Sequence, residues 1–221
     1  MPRSAAYRRL LSRLLDLLSP RTCVACDRDV AAGGVLCAAC SAHADLSAPA
    51  GLVLDGIPTV AAVAYAGPLA DAIQRFKYGA RPDLAAQLAL LAAAALGRLH
   101  PEPGSVLVPV PLHPRRLAER GYNQSALLAK QLARRHGLGF APLALRRLRA
   151  TEHQVGRTRE QRWSNVTAAF AVRDARALAR RQVVLVDDVV TTGATATACI
   201  RSLSAASARV AGVVALARAG H

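Results

Sequence analysis

Apolar positions along this chain change their period twice. Over residues 3–18, Leu10, Leu11, Leu14, Leu15, Leu17 and Leu18 fall on one helical stripe, with Arg8, Arg9, Arg13 and Asp16 opposite. Pro20 ends the pattern, which predicts a short amphipathic helix that packs on its own protein rather than on a membrane surface. Residues 23–40 have no period and hold four of the five cysteines. Residues 41–58, with Pro49, Gly51, Gly56 and Pro58, have none either and mark a module boundary. From Thr59 onward, short apolar runs alternate with helical stretches. Strands are expected at Thr59–Tyr65, Val106–Val110, Val183–Val186 and Arg209–Leu216, and an extended piece at Phe140–Arg146. Helices are expected at Pro68–Lys77, at Asp83–Leu99 with Asp83 as N-cap, at Asn123–His136 and at Ala194–Leu203. Strands with wholly apolar cores, separated by helices, predict an α/β fold: a parallel sheet with helices on both faces.

Composition narrows this further. Of 221 residues, 52% are hydrophobic, which excludes a disordered tail protein, and only 4% are aromatic, so the core is built from Ala, Val and Leu. No run reaches the roughly 18 uncharged apolar residues of a membrane span. Residues 1–18 carry charges inside their Leu pattern and so lack the apolar stretch of a signal peptide. A soluble, cytoplasmic protein is expected. The 29 basic residues against 14 acidic ones give a net charge of +15, which suits a polyanionic partner. Yet 27 of the 29 are Arg, only Lys77 and Lys130 being Lys, as when compositional bias fills ordinary surface positions. Charge alone does not choose between these readings.

Cys23-Val-Ala-Cys26 and Cys37-Ala-Ala-Cys40 are two C-x-x-C pairs separated by ten residues. Two such pairs complete a closed tetrahedron of thiolates around zinc, with Gly33 and Gly34 supplying the return turn. A segment this short has no core of its own, so the metal supplies its folding energy. A closed four-sulfur site is structural. Cys199 falls inside a predicted helix and reads as a small buried hydrophobe.

The most informative stretch is Val183-Val-Leu-Val-Asp-Asp-Val-Val-Thr-Thr-Gly-Ala-Thr195. A buried strand runs into two adjacent carboxylates, which are costly there unless something satisfies them. Open α/β sheets bind ligands at the carboxyl ends of their strands. The following loop, Thr191, Thr192, Gly193, Ala194 and Thr195, offers backbone N–H groups and hydroxyls at a helix N-terminus, which suits an anion. Acids beside a phosphate cradle point to a sugar phosphate, a ribose 5-phosphate. No G-x-x-x-x-G-K-[ST] or G-x-G-x-x-G occurs, so nucleotide triphosphate and dinucleotide folds have no support.

This stretch closely resembles the phosphoribosyl pyrophosphate motif of type I phosphoribosyltransferases. The resemblance implies that Asp187 and Asp188 hold the ribose hydroxyls and that Thr191–Thr195 wraps the 5′-phosphate. It further implies displacement of pyrophosphate at C1, with Mg²⁺ carried on the pyrophosphate. His113, Arg115, Arg116 and Arg120 lie just past the strand at Val106, where the pyrophosphate is expected. Arg147–Asn165, rich in Arg and without apolar period, is expected to be a mobile lid that includes Thr151, Gln154, Arg157, Arg162 and Asn165.

The chain as a whole resembles the ComF family of competence-associated, phosphoribosyltransferase-like proteins. That resemblance rests on Cys23, Cys26, Cys37 and Cys40, on Phe76-Lys77-Tyr78-Gly79 and on Val108–Gln124. It continues through Thr151, Gln154, Arg162, Asn165 and Phe170 to Val183–Thr195, in family order. Many members carry a second pair of cysteine knuckles; residues 41–64 contain no Cys, so one zinc is expected. The implied organisation is an N-terminal helix over 1–21 and a zinc ribbon over 22–45. A connector over 46–58 and a phosphoribosyltransferase-like domain over 59–221 complete it. Three functions are compatible: pentosyl transfer from phosphoribosyl pyrophosphate, handling of single-stranded DNA, and sensing of phosphoribosyl pyrophosphate without turnover. With three Phe, four Tyr and one Trp, stacking platforms for DNA are few, Tyr122 and Trp163 being the best placed.

Overall fold

The structure, a computed structural model, describes residues 22–31, 33–148 and 169–220. In chain order the elements are α1 (Ala38–His43), β1 (Leu52–Leu54), β2 (Ile57–Ala64), α2 (Gly67–Tyr78), α3 (Ala85–Gly97) and β3 (Val106–Pro109). There follow α4 (Pro114–Arg120), α5 (Gln124–His136), β4 (Gly139–Phe140), β5 (Leu145–Arg147), β6 (Phe170–Val172), β7 (Gln182–Val190), α6 (Ala194–Ala205) and β8 (Arg209–Arg218). The main sheet has the order β1-β2-β8-β7-β3-β4. Five of its strands are parallel, and β1 closes one edge as an antiparallel hairpin arm.

The alternation of side chains along the central strands divides the core into two. Leu107, Val184, Val186, Val214 and Leu216 face one way and pack with Leu69, Ile73, Leu88, Leu96, Leu128 and Leu132 from α2, α3 and α5. Val106, Val108, Val183, Leu185 and Val213 face the other way, onto Ile200 and Leu203 of α6. Each such fully buried aliphatic side chain contributes about 1.5–3 kcal/mol. The expected α/β sheet with helices on both faces is therefore present. β7, fully covered and flanked by β8 and β3, is central, which is why its sequence is an unbroken apolar run before the acids.

Several boundaries differ from those read from pattern. Residues 52–58, expected as part of a connector, form the β1 arm and the start of β2, turning at Asp55 (φ 52°) and Gly56 (φ 79°). A three-residue strand is too short to show a period, and the Asp-Gly turn was the available signal. Asp83 is not the N-cap of α3; it lies in a 3₁₀ turn over Pro82–Leu84, with its carboxylate on Arg81 at 2.7 Å. Phe140–Arg146 is not one extended piece, because residues between β4 and β5 turn away from the sheet. Arg147 ends β5 rather than belonging to a lid. β5 and β6 pair antiparallel as a separate ribbon, and Leu148 N–H donates to Ala169 O at 2.7 Å, so the chain leaves and re-enters at one point. The expected helix over residues 3–18 and the lid residues Thr151, Gln154, Arg157, Arg162 and Asn165 lie outside the described residues.

Candidate functional site

Two sites are built on this frame. The first is the cysteine cluster. The Sγ atoms of Cys23, Cys26, Cys37 and Cys40 all lie within 4.8 Å of one another, with Cys26 to Cys37 at 3.6 Å and Cys26 to Cys40 at 3.5 Å. A tetrahedron with zinc–sulfur bonds of about 2.3 Å needs sulfurs about 3.8 Å apart, so the four thiolates fit a structural zinc ion. Among the described residues no other cluster of this kind occurs. The ribbon does not stand apart from the rest. Val24, inside the first C-x-x-C, is fully buried in the main core, and Gln87 of α3 donates to Thr22 O at 3.0 Å.

The second site lies toward the carboxyl ends of β7 and β3; the acids, expected just past a strand ending at Val186, lie inside β7, which runs on to Val190. Asp187 and Asp188 are 8% and 9% exposed, and each is satisfied within the protein. Asp187 Oδ1 accepts from Ser125 Oγ at 3.2 Å and from the Asp188 N–H at 2.9 Å. Ser125 sits in the first turn of α5, whose N-cap Asn123 accepts from Ala126 N–H and donates from Nδ2 to Val110 O at 3.0 Å. Because Val110 N–H donates to Val186 O, the end of β3 brings the positive terminus of α5 to Asp187. Burial, and then the charge of Asp188, nevertheless push the Asp187 carboxyl up to about 7. Asp188 Oδ1 accepts from Val189 N–H and forms an ion pair with Lys77 Nζ at 3.0 Å.

The Thr loop follows directly. Gly193 caps α6 at φ 77° and brings no side chain to its first turn; Ala194 N–H approaches Thr192 Oγ1 at 3.5 Å. Thr191 and Thr192 are exposed and Thr195 is half-buried. A methyl group on Gly193 would stand 2.4 Å from Leu54 Cδ2, besides straining the backbone. Gly193→Ala is thus expected to lower stability by about 1–3 kcal/mol, read from thermal or denaturant unfolding. An unaltered midpoint would mean that the loop has room to spare.

Of the expected pyrophosphate residues, the structure brings Arg116 and Arg120 together. They line a cleft of about 350 Å³ with Lys77, Tyr78, Ala80 and Glu119. The guanidinium of Arg120 lies over the Tyr78 ring at 4.6 Å and donates to Gln124 Oε1 at 3.1 Å. Arg115 is exposed and does not line the cleft, its guanidinium being paired with Glu119 at 3.1 Å, and His113 caps α4 by accepting from Arg115 N–H at 3.3 Å. Arg147, on the β5–β6 ribbon, carries its guanidinium over Phe170 at 5.4 Å. Its burial, then the nearby charge of Arg116, holds its ionisation below the usual Arg value.

Two site residues went unassigned at the level of sequence. The sequence presents Lys77 only within Phe76-Lys77-Tyr78-Gly79, and its being one of two lysines beside 27 arginines is the available signal. Ser125 had no signal beyond its place at a helix start.

Comparison with known proteins bears on the ribbon and on kinship. Residues 14–50 match the family described as "Double zinc ribbon domain". With five cysteines in the chain, one of them Cys199 inside α6, there are thiolates for one four-sulfur site. Competence protein F of Haemophilus influenzae is 36% identical over 139 residues, which are 59% of this chain and 59% of that protein. The DNA utilization protein YhgH of Escherichia coli K12 is 34% identical over 182 residues, 78% of this chain and 79% of that protein. YhgH of Salmonella typhimurium is likewise 34% identical, over 187 residues and the same shares. Among solved structures, that of TT1426 from Thermus thermophilus aligns over 62% of this chain and 84% of that one, with 20% identity and a TM-score of 0.33. Cysteine ribbon and sequence kinship over most of the chain thus converge: it belongs to the ComF family, that of competence protein F and YhgH.

Proposed function

We propose that the site at the end of β7 binds phosphoribosyl pyrophosphate and transfers its ribose 5-phosphate, with release of pyrophosphate, to an acceptor. One observation carries this. Two adjacent buried carboxylates lie near the carboxyl end of the central strand, between a helix N-terminus to which Gly193 brings no side chain and a cleft holding Lys77, Arg116 and Arg120. Asp187 and Asp188 accept from the ribose 2′- and 3′-hydroxyls, the N–H groups from Thr191 to Thr195 hold the 5′-phosphate, and the cations meet the pyrophosphate. In this reading the bond from C1 to the pyrophosphate oxygen breaks as the acceptor bonds C1. The protein contributes alignment and charge compensation rather than a nucleophile of its own. Mg²⁺ is carried by the diphosphate.

Incubation with Mg²⁺, phosphoribosyl pyrophosphate and a panel of bases and amines tests this. Pyrophosphate is expected to appear with one acceptor class. Saturable binding without release would make the protein a sensor, and no binding would reject the site.

A second reading is favoured by the names of the relatives, competence and DNA utilization. In it the basic surface, including Arg134 and Arg135 at the exposed end of α5, handles single-stranded DNA. Titration with single strands across salt is expected to give a steep fall of log K with log salt. A flat dependence would reject it. Among the described residues no helix is long and apolar enough to cross a membrane.

A further inference from the structure

The zinc ribbon touches the ligand site through one short piece of chain. Asp27, the residue after the second zinc ligand, accepts from two arginines that flank the Lys77 segment. Arg75, in the last turn of α2, reaches Asp27 Oδ2 with one nitrogen and donates to Val24 O at 3.1 Å with the other. Arg81, beyond the end of α2, reaches Asp27 Oδ1 at 2.7 Å. Between them, Gly79 N–H donates to Arg75 O at 2.8 Å, a turn so close that a Cβ on Gly79 would stand 2.7 Å from that oxygen. The segment Phe76–Ala80 is therefore pinned at both ends to the metal knuckle.

What this segment presents on its other side is the site. Lys77 Nζ pairs with Asp188 and also lines the cationic cleft. Tyr78 lies under Arg120, and Phe76 O accepts from Tyr122 Oη at 2.6 Å. Gln124 Nε2 approaches both Phe76 O and Lys77 O at 3.4 Å while its Oε1 holds Arg120. An exposed ion pair contributes little to stability. Two arginines converging on one carboxylate, at the two ends of a loop, instead restrict where the loop can be.

We infer that Asp27 is a positioning residue, through which the zinc ribbon sets Lys77 for the diphosphate end of the ligand. The inference rests on the proposed function, because it gives the cleft the task of holding that diphosphate. In the free protein Lys77 neutralises Asp188. When the ribose hydroxyls take the carboxylate, the ammonium stays beside the cleft and faces the diphosphate, provided the loop is held. The ribbon then has a role beyond its own folding: its loaded state is read at a site formed by other elements.

Inorganic pyrophosphate with Mg²⁺ is the probe, and calorimetry on the zinc-loaded full chain the measurement. Asp27→Asn is the apt variant, because Asp27 stands at φ 61°, which Asn tolerates, and it is not one of the four sulfur ligands. It is expected to keep its zinc and its far-UV circular dichroism and to bind pyrophosphate about 3- to 10-fold more weakly, since a small loop displacement costs binding steeply. Lys77→Ala is expected to weaken binding by at least about 10-fold, the worth of one charge-assisted hydrogen bond. The two together are expected to be no worse than Lys77→Ala alone, as for residues acting along one path. Unchanged affinity in Asp27→Asn, or losses that simply multiply in the double variant, would overturn the inference and leave the proposed site standing. Failure of the unaltered protein to bind pyrophosphate would remove the site itself, and the inference with it.

Discussion

Replacing both acids, as Asp187→Asn with Asp188→Asn, is expected to weaken phosphoribosyl pyrophosphate binding by about 10²- to 10⁴-fold while the protein stays folded. Each carboxylate accepting from a ribose hydroxyl makes a charge-assisted bond of about 1.5–3 kcal/mol, and two are lost. The fold survives because an amide oxygen still accepts from Ser125 and from the backbone N–H groups that now bond the acids. Calorimetry with the ligand is the check, and unchanged affinity would sink the ribose assignment.

The same variant has a signature in the pH dependence of stability. Burial and Asp188 raise the Asp187 carboxyl from its ordinary 3.8 to about 7 in the folded protein. A raised acid binds more protons folded than unfolded, so its contribution is complete below about pH 3.8 and is lost as pH climbs through about 7. Over that window the unaltered protein is expected to lose several kcal/mol from this group, and the double variant to lose far less. Denaturant unfolding at a series of pH values measures the slope directly. Parallel slopes would show that Asp187 is not the group responsible.

Zinc removal should have the second large effect. Structural zinc in small modules is held with about 10–16 kcal/mol, and that energy is the folding energy of the ribbon. Here the loss spreads. Val24 is fully buried in the main core, and Arg75 and Gln87 donate to carbonyls of the ribbon. Chelation, or Cys23→Ser, is therefore expected to empty the site and lower the melting temperature of the whole chain. Metal analysis and calorimetric scans with and without chelator test both halves. An intact protein without zinc, or a melting temperature indifferent to chelator, would contradict the assignment.

Much of this was legible in local pattern, for a physical reason in each case. Val183–Val186 announced a central strand because both of its faces are covered, so no polar residue interrupts it. The acids announced a site because two adjacent carboxylates cannot remain in such a strand unanswered. Cysteine spacing announced the ribbon because a C-x-x-C knuckle lets two thiolates close in sequence reach one ion. Elements with less to bury were silent. β1 is three residues long, and α4 has no buried residue, so neither leaves a period to detect.

By itself, then, the sequence determined the α/β sheet, the four-sulfur metal site and the acidic strand end. Each depends on residues close together in the chain. Tertiary structure alone decided which cations meet those acids. Arg115 and Arg116 are neighbours in sequence, yet the first is exposed and spent on an ion pair with Glu119, and only the second lines the cleft. Lys77, 111 residues before Asp188, is its ion-pair partner. Ser125, far from the acids in sequence, reaches Asp187 because the end of β3 carries the start of α5 to β7. Such partners are set by how strands are ordered across a sheet, and strand order follows from non-local packing that no local period encodes.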